Sequence, residues 1–193
     1  MKTVQLAPGR YTSQLGFGGT ILIGGGYRAE NLRILHAAYD AGFRHFDVAP
    51  SYGLGVAEGV LGEFIESRRD TLTVTTKVGL SRPSNPGLLA RVRGIAKTLL
   101  ASNPALRKKL GGAVYKATVQ WGQFEIDKIT LSLASSLKEL RTDRVDALLL
   151  HELRLENVND ELKTWVSAQI AGGAVGAMGF GSPRAEVERL LDG

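Results

Sequence analysis

The sequence predicts an α/β fold with a parallel sheet. Three observations carry this expectation. Apolar and β-branched stretches alternate with amphipathic helical stretches along the 193 residues, as repeated βα units require. RVDALLLHE, 144–152, is a near-continuous apolar run, the pattern of a strand covered on both faces. Glycine closes two of the predicted helices, at Gly42 and at Gly172–Gly173, where a chain leaves a helix to start the next strand.

The elements follow in order. LGFGGTILI, 15–23, reads as a strand broken by glycines, and Gly24–Gly26 as a turn. ENLRILHAAYDAG, 30–42, reads as a helix with Leu32, Leu35 and Tyr39 on its core face. FRHFDVA, 43–49, is a short strand. VAEGVLGEFIESRR, 56–69, is a helix that turns Val60, Leu61, Phe64 and Ile65 inward. At its start Glu58 is an acid suited to the helix dipole, with no chemistry assigned to it. TLTVTTKVG, 71–79, is rich in β-branched residues and is the third strand. LLARVRGIAKTLL, 88–100, reads as a helix that Asn103–Pro104 ends. DKITLSLASSLKELR, 127–141, is an amphipathic helix with Leu133, Leu137 and Leu140 inside. After the strand at 144–152 come a helix at 159–173, a strand at 174–182 and a helix begun at Pro183. Strict alternation implies right-handed crossovers within one domain, 1–193.

Composition bounds the function. A hydrophobic share of 44% and a charged share of 22% are ordinary for a globular chain. There are no cysteines, which excludes disulfides, thiolate metal sites and cysteine nucleophiles and fits a reducing cytoplasm. No signal peptide and no membrane-spanning run is expected. His36 and His45 lack metal-ligand spacing and read as structural, so no metal site is expected. The net charge of +5 is local. Between Ser81 and Phe124 lie Arg82, Arg91, Arg93, Lys97, Arg107, Lys108, Lys109 and Lys116 with no acid, so the rest of the chain is net acidic. This basic insert, 81–126, reads either as a cationic lid or as a solvated helix with a basic face. Tyr115 and Trp121 are its only nearby ring pair, and no nucleic-acid partner is expected.

Two motif readings compete. Gly24-Gly25-Gly26-Tyr27-Arg28-Ala29 matches a G-x-G-x-x-A dinucleotide fingerprint, with Asp47 near the ~20-residue spacing of a ribose-binding acid. In a chain with 24 glycines that signal is weak. The other reading uses strand ends. Asp47, Lys77 and His151 end three consecutive predicted strands, and Tyr52 sits in the turn after Asp47. In a parallel barrel all such ends open on one rim. The set makes chemical sense. A phenol near pKa ~10 exchanges its proton poorly at neutral pH. A lysine ammonium beside it favours the phenolate, an aspartate holds the lysine charged, and a histidine can bond a substrate oxygen. Each residue alone has a structural reading; three on consecutive strand ends, with Tyr52 in the adjoining turn, read as a proton-transfer site.

The stretches LGFGGT, AYDAGFRHFDVAPSYG, EGVLGEFI, TVTTKVG, SLKELRTDRVDALLLHE and AVGAMGFGS resemble, in order, the aldo-keto reductase family, and most closely its subgroup acting on aldoses and related sugars. The resemblance implies a TIM (β/α)8-type barrel and an oxidoreductase that uses NADP(H) on a small-molecule carbonyl or sugar. It implies Tyr52 as general acid/base, Lys77 and Asp47 as its tuning pair, and His151 as the group that orients the carbonyl. Gly19, Thr20, Asp47 and Ser182 would line the cofactor site. Ser182 matches the start of a family Ser-Asn pair, but Pro183 follows it here. Outside the basic insert the chain has room for about five units of ~30 residues, against eight strands and ~250 residues in a complete barrel. The expectation is an incomplete barrel whose inner face, meant for a closed core, would meet water. It would be completed by a second copy or a complementing half-barrel. The alternative is a catalytically inactive fragment serving as a binding or assembly module.

Overall fold

The computed structural model describes residues 1–22, 27–84 and 117–192. The predicted turn at 24–26, the predicted helix at 88–100 and most of the basic insert lie outside the described residues.

The chain opens on an antiparallel hairpin, β1 (Thr3–Ala7) and β2 (Arg10–Ser13). The sequence reading had no strand here, although Pro8–Gly9 is a turn signal. The alternation that follows is the expected one: β3 (Gly16–Gly18), α1 (Arg28–Asp40), β4 (His45–Asp47), α2 (Ala57–Ile65), β5 (Thr73–Val78), α3 (Ile126–Glu139), β6 (Ala147–His151), α4 (Asp160–Ala171), β7 (Met178–Gly181) and α5 (Arg184–Asp192). Observed strands are shorter than the predicted ones, because several apolar residues at their ends pack in connecting loops rather than in the ladder.

β3 to β7 form one parallel sheet in strictly sequential order. This corrects the dinucleotide-fold alternative: a doubly wound sheet reverses its strand order at a switch point, and none occurs among these strands. The sequential arrangement is that of an incomplete barrel wall.

Register settles which residues share a face. Phe46 packs on Phe64 of α2, and Thr76 bonds Glu58 of α2, so both point to the helices. Strand alternation then puts His45, Asp47, Thr73, Thr75 and Lys77 on the opposite face. Pairing adds Ala147, Leu149 and His151 from β6, with glycines from β3 and β7. This is the inner face of the barrel wall. Glycine and polar residues dominate it, and Leu149 is its one large aliphatic side chain among the described strand residues. Much of it is also covered: Thr73, Thr75 and Lys77 are buried. At one end the β1–β2 hairpin closes on it through a hydroxyl contact between Thr12 and Thr73.

The apolar core lies between the other sheet face and the helices. Phe46, Leu35, Leu61, Phe64, Ile65, Ile129, Leu140 and Leu148 are fully or almost fully buried, each contributing about 1.5–3 kcal/mol. The helix faces read from periodicity are thus the core faces. α2 and α3 meet closely because Gly62 has no side chain; a Cβ there would lie 2.2 Å from the Glu139 carbonyl oxygen.

Beside the hairpin, Asp146 ties three parts of the chain together. Its carboxylate accepts from Arg10 Nη1 at 2.8 Å and from the Val74 amide at 2.9 Å, and pairs with Arg69 Nη2 at 2.9 Å. Asp146 is 6% exposed, so its loss leaves the Val74 amide without this acceptor and the Arg69 guanidinium without its counter-charge. Asp146→Ala should cost about 3–5 kcal/mol in urea unfolding. Asp143→Ala, removing an exposed partner of Arg144, should cost under ~1 kcal/mol.

Candidate active site

The three strand-end residues and Tyr52 come together. Asp47 is the last residue of β4, Lys77 the penultimate residue of β5, and His151 the last residue of β6. Parallel strands bring these ends to one rim, and alternation turns all three side chains to the face away from the helices. Lys77 Nζ lies 2.6 and 2.5 Å from the two Asp47 carboxylate oxygens and 3.0 Å from the Val48 carbonyl oxygen. It also sits 5.0 Å from the centroid of the Tyr52 ring. The Tyr52 and His151 rings meet edge to face, with centroids 6.1 Å apart at 86°.

The turn that carries Tyr52 is unusual. Gly53, Leu54 and Gly55 have φ of 61°, 62° and 93°, three successive left-handed residues. Leu54 is not a glycine, so its conformation is strained. Gly53 must be glycine on a second count: a Cβ would lie 2.0 Å from the Leu22 carbonyl oxygen. Glu152, directly after His151, is also left-handed, with φ of 58°. Two of the three non-glycine residues with positive φ among the described residues thus flank the cluster, where backbone strain concentrates in functional sites.

Electrostatics follow from burial. Lys77 is 4% exposed, and desolvation lowers its pKa while the Asp47 carboxylate opposes the shift. His151 is pushed down to about 4, first by burial and then by the Lys77 charge, so its imidazole is neutral at pH 7. Its Nδ1 is buried without a protein partner. His45 lies deeper on the same face, lowered by burial, with Nε2 2.9 Å from Thr75 Oγ1. His36 stacks edge-on against Phe64. No group of three metal-binding side chains exists among the described residues, and no helix among them is long and apolar enough to cross a membrane.

The four residues read as cofactor-binding fall on the same rim. Gly19 is buried, and a Cβ there would lie 2.5 Å from Val48 Cγ1 and 3.0 Å from the Asp47 carbonyl oxygen. Thr20 beside it is exposed. Ser182 follows Gly181, the strand partner of His151, and its hydroxyl donates to the Leu153 carbonyl at 3.0 Å. Asp47 is engaged by Lys77, which leaves the ribose role of the rival motif without its acid.

Sequence reasoning missed one feature. Glu58, read as an acid suited to the helix dipole with no further role, is fully buried. It accepts from Thr76 Oγ1 at 2.6 Å and pairs with Arg82. Burial raises its pKa and the Arg82 guanidinium opposes the shift. The local signal existed: Glu58 shares a helical face with Leu61 and Ile65, both buried.

A profile of the aldo/keto reductase family matches residues 14–190. A D-threo-aldose 1-dehydrogenase from Pseudomonas sp. is 33% identical over 184 residues, covering 91% of this chain and 52% of that protein. A pyridoxal 4-dehydrogenase from Microbacterium luteolum is 40% identical over 65 residues, or 32% of this chain and 19% of that protein. Among solved structures, the holo form of an aldo-keto reductase from Bacillus halodurans superposes with a TM-score of 0.76 at 23% identity. That match covers 99% of this chain and 53% of the other. The chain therefore spans about half the length of the aldose dehydrogenase it matches. On the extent of the family match, it belongs to the aldo/keto reductase family.

Proposed function

We propose that the chain interconverts a carbonyl, in an aldehyde, ketone or aldose, and the corresponding alcohol with NADP(H), Tyr52 acting as general acid/base. The observation that carries this reading is a lysine ammonium buried between the Asp47 carboxylate and the face of the Tyr52 ring. Such a charge favours the phenolate, which makes proton exchange at the Tyr52 oxygen easier near neutral pH. Asp47 keeps Lys77 charged despite its burial. His151, neutral at pH 7, can donate an N–H to the substrate oxygen without adding charge, and its edge contact with Tyr52 sets where that oxygen lies. In reduction Tyr52 gives its proton to the carbonyl oxygen; in oxidation the phenolate takes it back.

A bound nicotinamide would supply or accept the hydride. The rim fits its amide end. Thr20 is exposed for contact, Gly19 lets the chain pass close to Asp47, and Ser182, whose proton goes to Leu153, keeps an acceptor lone pair for an amide N–H. NADP(H) over NAD(H), and the cytoplasm as the site of action, follow the family resemblance and the composition. The aldose dehydrogenase relative supports a sugar or small carbonyl substrate. We read 1–193 as one domain and 81–126 as a basic insert within it, whose described ends lie at this rim. In support, Gln123 N bonds Gly79 O, and Ser81 N bonds Gln120 O, so the insert leaves and returns beside the rim. The rival reading, an inactive binding or assembly module, draws on the chain's span of about half its relative.

Two outcomes check this. Tyr52→Phe should lower kcat for NADPH-dependent reduction of an aldose-type aldehyde by roughly 10²–10⁴-fold and leave NADPH affinity, read by fluorescence titration, unchanged. A wild-type chain that binds NADPH but turns over no carbonyl would favour the inactive module.

The second concerns pH. His151 has a folded pKa of about 4 against 6.5 unfolded, so the unfolded chain binds the extra proton first. The stability this group contributes is full above pH 6.5 and is lost as pH falls toward 4. His45 acts in the same direction. Urea unfolding should therefore show stability falling across that window, with a shallower fall in His151→Asn. Log kcat/KM should show no inflection near 6.5 from this group.

A further inference from the structure

We propose that Arg82 and Glu58 form a clamp that positions Tyr52 against Lys77. This rests on the proton-transfer reading above and adds two residues that touch none of the reacting groups.

The clamp is a continuous path between the two elements that must stay aligned. Arg82 Nη1 donates to the Gly55 carbonyl at 2.6 Å, at the end of the left-handed turn that begins at Tyr52. Arg82 Nη2 pairs with the Glu58 carboxylate. Glu58 in turn accepts from Thr76 Oγ1, and Thr76 is the strand neighbour of Lys77. The guanidinium fork thus joins the turn carrying Tyr52 to α2 and to the end of β5. Only arginine can do this: its planar donors reach the carbonyl and the carboxylate together, where a lysine would supply one point charge.

Two features argue for a role beyond packing. Glu58 is fully buried and Thr76 fully buried beside it. A buried ion pair is a weak source of stability, and an apolar pair of similar volume would serve packing as well or better. The turn, meanwhile, needs an external hold. It contains three successive left-handed residues, one of them Leu54. Within it Tyr52 N bonds Ala49 O and Gly55 N bonds Tyr52 O. Arg82 ties its far end, at Gly55, through Glu58 and Thr76 to β5. A turn released at Gly55 can relax its strain, and the 5.0 Å approach of Lys77 Nζ to the Tyr52 ring goes with it. Displacement of a reacting group by about 1 Å can cost about 100-fold in rate.

The test compares Arg82→Met, the apolar pair Glu58→Leu/Arg82→Leu, and Arg141→Met as a control that removes an exposed ion pair with Glu66. Three quantities are read: kcat with NADPH and an aldose-type aldehyde, urea stability, and the ¹³Cζ resonance of Tyr52. Arg82→Met should lower kcat by about 10–100-fold with little change in NADPH affinity, and shift or broaden the Tyr52 resonance while leaving that of Tyr39 in place. The apolar pair should regain stability without regaining kcat or the wild-type Tyr52 resonance. Arg141→Met should leave all three as in wild type. Recovery of kcat and resonance by the apolar pair would overturn the clamp and leave a packing role. If the wild-type chain has no reductase activity, the proton-transfer reading fails on that result, and the Tyr52 resonance in Arg82→Met still decides the clamp: an unchanged resonance overturns it.

Discussion

The structure depends on one buried charge. Lys77 points into the polar face of the sheet, almost out of solvent, and its ammonium has the Asp47 carboxylate and the Val48 carbonyl around it. An isolated ammonium there would be too costly to keep. Asp47 makes it tolerable, and parallel pairing of β4 with β5 puts that carboxylate in reach. Asp47 stands opposite Thr75, one alternation below Lys77. The small neighbours on that face, Gly18, Thr75 and Gly179, leave the volume the pair occupies. Tyr52 and His151 then close around the charge from the next two rim positions, and Lys77 contributes to holding His151 neutral.

The two ends of the sheet divide the work. At the hairpin end, Asp146 gathers Arg10, Arg69 and a β5 amide into a satisfied network, which serves stability. At the other end stand strained residues, Leu54 and Glu152, a histidine nitrogen without a protein partner, and a lysine with a lowered pKa. Such a concentration of features is the kind that gathers at functional sites, and it falls at the end where the proton-transfer reading is proposed. The clamp of Arg82 and Glu58 lies between the strained turn and the core, and transmits the rigidity of α2 and β5 to Tyr52.

Much of this was legible in the sequence. Periodicity placed every helix and strand of the βα alternation that the described residues contain, because each buries one apolar face or lies between two layers. Asp47, Lys77 and His151 could be paired before any coordinates because parallel strands bring their ends to one rim. What was not legible depends on partners far apart in the chain. The hairpin β1–β2 is short and largely exposed on β1, so it has little alternation to read. Glu58 gave a local signal, an acid on an apolar helical face, but its partner Arg82 stands in an irregular stretch at no characteristic spacing. The polar character of the sheet's inner face emerged only from register, which converts isolated glycines and threonines into a continuous surface.

The central claim is that Asp47 and Lys77 act as one unit on Tyr52. A double-mutant cycle on kcat, with Asp47→Asn, Lys77→Met and the pair, tests it most directly, each variant first being shown to unfold cooperatively. The account predicts that each single change lowers kcat by roughly 100-fold or more and that the double variant is little worse than the worse single, as for groups that act together. A double variant whose loss is the product of the two single losses would show that the residues act independently, and would contradict it.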